Sequence, residues 1–116
     1  MYSLFVSDLH GRRKHYEILF ERISEDKPDA VFFGGDLLPN NSHINVKEFI
    51  EKFLFLMIKD IKKNLGDNTL LFMILGNDDP RIYEALFRRL EEKTGIVEYI
   101  SSKVIRYKGF YIAGYS

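Results

Sequence analysis

The sequence predicts an α/β fold, and three observations carry that reading. Apolar runs of strand length alternate with stretches of helical period. The runs lack the polar alternation of a half-exposed strand, so they belong to a sheet covered on both faces and paired in parallel through helical crossovers. The first three runs each stop abruptly at a cluster of Gly, Asp, Asn or His, and the C-terminal edge of an open α/β sheet is where ligands bind.

Tyr2 to Val6 is the first run, ending at Ser7-Asp8. From Arg12 the period becomes helical, with Tyr16, Leu19, Phe20 and Ile23 on one face and a stop at Lys27-Pro28-Asp29. Ala30 to Phe33 is the second run, stopped by Gly34-Gly35-Asp36, and Pro39 to Asn45 is a polar loop. Val46, Phe49, Ile50, Phe53, Leu54, Met57, Ile61 and Leu65 then mark one face of a long helix, with Gly66 suited to its C-terminal cap. Leu70 to Leu75 is the third run, halted by Gly76-Asn77-Asp78-Asp79. Asp79-Pro80 suits a helix start, a capping carboxylate before a proline that needs no donor, and Ile82, Leu86 and Leu90 continue the helix to Thr94-Gly95. The remainder predicts strands, with Lys103 to Tyr107 and Phe110 to Ala113 joined by a tight turn at Lys108-Gly109.

The bulk numbers narrow the function. A chain of 116 residues fits a single domain spanning 1–116, and 46% hydrophobic residues suffice for a packed core. The 17 basic and 17 acidic residues cancel, so there is no clear nucleic-acid signal, and phosphate chemistry would need positive charge from bound metal. The absence of cysteine excludes disulfides and thiolate metal sites. With no leader-like start and no apolar run long enough for a bilayer, the expectation is a cytoplasmic protein with no membrane partner.

Asp8 and His10, two residues apart at a strand exit, can offer a carboxylate and an imidazole to one cation. Asp36 follows two glycines that let the backbone come close to a ligand, and its two oxygens can bridge two metals. Asn77 offers an amide oxygen to a metal or a phosphate. Each cluster alone reads more readily as a solvated or capped turn. Together, on three successive strand ends, they form an oxygen-rich set with one imidazole, which suits Mn, Fe or Zn. Two such ions can bind a phosphate, generate hydroxide at neutral pH and stabilise the leaving oxygen.

The segments Asp8-Leu9-His10-Gly11, Gly34-Gly35-Asp36 and Gly76-Asn77-Asp78-Asp79 resemble, in order, the first three motifs of the calcineurin-like metallophosphoesterases. The resemblance implies that Asp8 and His10 bind a first divalent metal, that Asp36 bridges two, and that Asn77 binds the second. It also implies a metallophosphoesterase-like α/β sandwich, here an N-terminal portion with its first, mainly parallel sheet, flanking helices and the second sheet missing.

Two departures stand out. The family usually has a His after the Gly-Asn, as proton donor or phosphate contact, and Asp78 holds that place, so Asn77 and Asp78 are the catalytic candidates. The later His ligands, including Gly-His-x-His, are absent. His15 and His43 are the remaining histidines and read as surface residues, while Arg12-Arg13-Lys14 reads as a solvated helix start that could hold a phosphate.

The implied function is hydrolysis of a phosphodiester or small phosphate ester through a metal-bridging hydroxide. The alternative is a non-catalytic interaction or scaffold module with a degraded site. A nucleotide-binding domain is a weaker third reading, since no Gly-x-Gly-x-x-Gly or P-loop pattern occurs. With no second sheet, the apolar strands predict a homodimer, through a sheet face or the Phe53 to Met57 side of the long helix.

Overall fold

Right-handed crossovers between strands that neighbour each other in sequential order place every connecting helix on one face of a sheet. The computed structural model, which describes residues 2–35, 37–39, 43–65, 69–74, 83–101 and 104–113, has this arrangement. Strands β1 (Ser3–Val6), β2 (Ala30–Phe33), β3 (Leu70–Met73) and β4 (Val97–Tyr99) form a parallel sheet in the order β1-β2-β3-β4. Between them run α1 (Arg13–Asp26), then α2 (His43–Glu48), a π-helical segment (Phe49–Leu54) and α3 (Phe55–Leu65), and finally α4 (Glu84–Thr94). β5 (Val104–Tyr107) and β6 (Phe110–Ala113) form a separate antiparallel hairpin.

The helices share one core with alternate residues of the strands: Val31, Phe33, Leu71, Met73, Val97 and Tyr99 meet Tyr16, Phe20, Ile23, Ile50, Leu54, Ile58, Phe87 and Leu90. Among the described residues, the opposite face is covered by the hairpin. Ala30, Phe72 and Ile100 are buried there beside Ile105, Tyr107 and Ile112. Cover on that face is incomplete: Phe5 is 76% exposed, although its ring stacks on Phe32 at 4.8 Å. Beyond this hairpin, no strand of a second layer occurs among the described residues.

One departure from the predicted elements has a physical cause. The π-helical turns shift the phase of the long helix, because each accommodates an extra residue. As a result Leu54 and Ile58 are fully buried, while Phe53 and Met57, expected on the core face, are only partly covered. The fourth parallel strand, β4, is a short continuation after Gly95 caps α4 in the left-handed region, φ 73°. α4 is described from Glu84, preceded by Tyr83, and the predicted start at Asp79-Pro80 and the cap at Gly66 lie outside the described residues.

The hairpin turn matches the sequence expectation. Lys108 and Gly109 both take positive φ, 47° and 83°, the pairing that a two-residue turn needs to follow strand twist. Lys108 is then held by Asp29 at 2.9 Å, and the Tyr107 hydroxyl donates to the Asp29 carbonyl at 3.0 Å. These contacts fix the hairpin at the N-terminal edge of the parallel sheet, leaving the C-terminal edge to the loops.

Candidate metal centre

Register places the C-terminal ends of the first three strands together, with Val6 beside Phe33 and Phe33 beside Met73. The ladder continues one step beyond them: the Gly34 N–H donates to the Val6 carbonyl at 2.7 Å. The loops leaving β1 and β2 therefore start side by side.

Two further hydrogen bonds clamp these loops. Leu37 lends its carbonyl to the Gly11 N–H at 2.9 Å and to the Tyr16 hydroxyl at 2.7 Å. Gly11 has φ +68°, and a Cβ there would lie 2.4 Å from Pro39 Cδ and 2.5 Å from its backbone nitrogen. Only glycine meets both demands, a left-handed backbone and contact with the opposing loop. Tyr16 was legible in the sequence only as a core residue. Its hydroxyl, bonding across from α1 to the loop after β2, was not.

Asp8 and His10 come together at this edge. His10 Nε2 lies 3.8 Å from an Asp8 carboxylate oxygen, too far for a hydrogen bond. Two ligands of one cation, each about 2.0–2.2 Å from it, stand roughly 3–4 Å apart. The route to this pairing differs from the sequence argument. Both residues lie beyond β1 in left-handed conformations, φ 56° and 48°, so they converge through a strained loop and not through strand alternation. Left-handed backbone is costly for residues with a Cβ and clusters at functional sites.

A second observation concerns the imidazole itself. His10 Nδ1 is buried with no hydrogen-bond partner among the described residues. Nε2 is the nitrogen that faces Asp8. The donor set of one carboxylate and one imidazole fits a divalent transition metal. No cluster of three or more acidic, His or Cys side chains that could hold a metal occurs among the described residues. Asp36, Asn77 and Asp78 lie outside them.

His15 is exposed on α1, as expected of a surface residue. The loop expected over Pro39 to Asn45 is shorter than predicted, because α2 already begins at His43. Arg12, Arg13 and Lys14 are exposed, with the Arg13 guanidinium 4.8 Å above the Phe53 ring. No helix among the described residues is long and apolar enough to cross a membrane.

Comparison with known proteins agrees with this architecture. A solved crystal structure superposes with a TM-score of 0.62 at 16% identity, covering 97% of this chain and 51% of the other. At that identity the likeness concerns the fold, and the chain spans about half the length of that neighbour. No curated protein matches the chain. The family model for the calcineurin-like phosphoesterases, a metal-dependent family, matches residues 1–115, and the chain belongs to that family.

Proposed function

We propose that this chain contributes the first metal-binding half of a phosphoesterase that hydrolyses a phosphodiester or small phosphate ester. The observation that carries the proposal is the Asp8–His10 pair: two metal-competent side chains 3.8 Å apart in left-handed loop conformations at the C-terminal sheet edge. Asp8 and His10 would hold a divalent cation, with Asp36 and Asn77 completing the set. A cation of this kind, whether Mn, Fe or Zn, supplies positive charge for a bound phosphate and acidifies water at neutral pH. The chain's own residues supply the rest. Asp8 fixes the charge, His10 sets the direction, and the Gly11–Leu37 clamp holds the loops that carry Asp8 and Asp36 against each other.

Asp78 stands where the usual histidine of the family would be. As an acid it would need a pKa near neutrality, and adjacent metal cations push in the opposite direction. Asp78 is therefore assigned to phosphate or water orientation. A bulky phosphoprotein is the less favoured substrate.

The test is hydrolysis of bis-p-nitrophenyl phosphate and p-nitrophenyl phosphate in Mn²⁺, compared with EDTA-treated protein and with Asp8→Asn. Metal-dependent turnover abolished by Asp8→Asn supports the proposal. Failure to bind Mn²⁺, or binding unchanged by Asp8→Asn, would overturn it.

A further inference from the structure

As far as apolar packing goes, a phenylalanine would serve at position 16 as well as the tyrosine does. Tyr16 is fully buried, and its ring meets Phe49 at 5.2 Å and Phe53 at 6.0 Å, both edge-on, with Phe20 stacked at 6.3 Å. Phe49 and Phe53 come from the π-helical segment and Phe20 from α1 itself, so the ring is seated by its aromatic neighbours. What the tyrosine adds is a hydroxyl, and a buried hydroxyl is costly unless it is hydrogen-bonded. Here it donates to the Leu37 carbonyl at 2.7 Å, across 21 residues of chain.

That bond closes a circuit. The Arg12 N–H donates to the Leu9 carbonyl at 3.0 Å, which closes a turn with His10 and Gly11 as its central residues. The Tyr16 N–H donates to the Arg12 carbonyl at 3.1 Å, at the start of α1. The Tyr16 hydroxyl then reaches the Leu37 carbonyl, and the same oxygen accepts the Gly11 N–H at 2.9 Å. Four hydrogen bonds thus lead from the His10 turn through the first turn of α1 to the loop after β2, and back.

The turn has need of such support. His10 and Gly11 both have positive φ, 48° and 68°, as in the mirror-image turns that glycine adopts without strain. His10 has a Cβ, so its left-handed backbone persists only where the surroundings hold it. Leu37 also directly follows Asp36 in the chain, so the far end of the circuit is anchored beside a second candidate ligand.

We propose that Tyr16 is a positioning residue for the metal centre: its hydroxyl, through the Leu37 carbonyl, holds the His10–Gly11 turn in the conformation that brings His10 beside Asp8. This role rests on the reading of Asp8 and His10 as ligands of one cation. Tyr16 itself contacts neither cation nor substrate.

Tyr16→Phe isolates the hydroxyl, because the ring keeps its aromatic neighbours. Two quantities are read: Mn²⁺ affinity, from the electron paramagnetic resonance of the free ion, and hydrogen exchange at the Gly11 amide. The variant should bind Mn²⁺ roughly two- to tenfold more weakly, the range that one ordinary hydrogen bond is worth, with faster exchange at Gly11. Ile23→Val, at a fully buried position of α1 outside the circuit, should lower stability and leave the affinity unchanged. If the wild type binds Mn²⁺ and Tyr16→Phe binds it equally well, the positioning role is overturned while the metal reading stands. An equal loss of affinity in Ile23→Val would also overturn it, since loosening of the core would then suffice. A wild type that binds no Mn²⁺ overturns the metal reading and the positioning role with it.

Discussion

Three residues at the C-terminal edge illustrate what a sequence pattern can and cannot convey. Asp8 and His10 were singled out only as part of three ordered clusters on successive strand ends, since Asp-x-His alone is an ordinary turn. Their left-handed backbones were not legible, since φ depends on how the loop packs against Pro39 and Leu37. Gly11 is the element of the motif without which that packing fails. Gly11→Ala should destabilise the fold by on the order of 2–3 kcal/mol, combining left-handed strain with the Pro39 clash. Chemical denaturation would measure this, and a loss below about 0.5 kcal/mol would show that the two loops are not clamped. For the metal, His10→Ala should weaken Mn²⁺ binding by at least the roughly 10–100-fold that loss of an outer-shell partner costs. Unchanged affinity on titration would remove His10 from the ligand set.

At the scale of elements, strands and helices were foreseen wherever local pattern decides the outcome. Ala30–Phe33 and Phe110–Ala113 occur as predicted, because an apolar run bounded by Gly or a turn dipeptide leaves little choice. The face of the long helix was foreseen at Val46, Phe49, Ile50, Leu54, Ile61 and Leu65, all buried, but not in its middle turn. Phe53 to Ile58 is apolar at every position, so the pattern there could not separate Ile58 from Phe53 and Met57. The π-helical turns settle it in favour of Leu54 and Ile58, each within 1% of full burial. Leu54→Ala should therefore cost about 2–5 kcal/mol, whereas Leu56→Ala, at a half-exposed position, should stay within about 0.5 kcal/mol. Equal losses would mean that the helix lacks the phase shift.

The Asp29–Lys108 contact makes the docking of the hairpin a test of pH dependence. Lys108 and the Tyr2 backbone hold the Asp29 carboxyl below the ordinary aspartate range, and Asp29 in turn raises the Lys108 ammonium. A lowered carboxyl stabilises the fold above its unfolded pKa, and that contribution is lost as pH falls through the folded value. A raised amine contributes below its unfolded pKa and loses the effect as pH rises through the folded value. The pair is therefore fully effective between roughly pH 5 and pH 10, and weakens outside that window. NMR signals of Tyr107 and Ile112 should shift toward an undocked hairpin on acidification below about pH 4, and Asp29→Asn should show the same shift at neutral pH. Hairpin signals unaffected by either change would mean that apolar packing alone holds it.

The whole molecule is asymmetric in its cover. Among the described residues, the helices lie on one face of the parallel sheet, and a two-stranded hairpin protects part of the other. Phe5, Phe32 and Phe72 form a stacked row across β1, β2 and β3, with centroids 4.8 Å and 5.1 Å apart, and Tyr107 closes its inner end. At its outer end Phe5 lies on the edge strand β1, 76% exposed. Val104, Phe110 and Tyr111 add exposed apolar surface on the hairpin. Exposed aromatic surface on a sheet face can mark a contact surface, and an edge strand invites pairing. The sequence left two candidate surfaces for self-association; the exposure of Phe5 favours the sheet face over the partly covered Phe53 to Met57 side. We expect a two-fold dimer that shields this face, because a closed isologous contact buries the same patch on both copies. Phe5→Lys should shift the assembly toward monomer in sedimentation at micromolar concentration, while Leu56→Lys on the long helix should leave it unchanged. A wild-type chain that sediments as a monomer and binds no hydrophobic dye would show that the aromatic row needs no partner. Dissociation by Leu56→Lys and not by Phe5→Lys would place the contact on the helix.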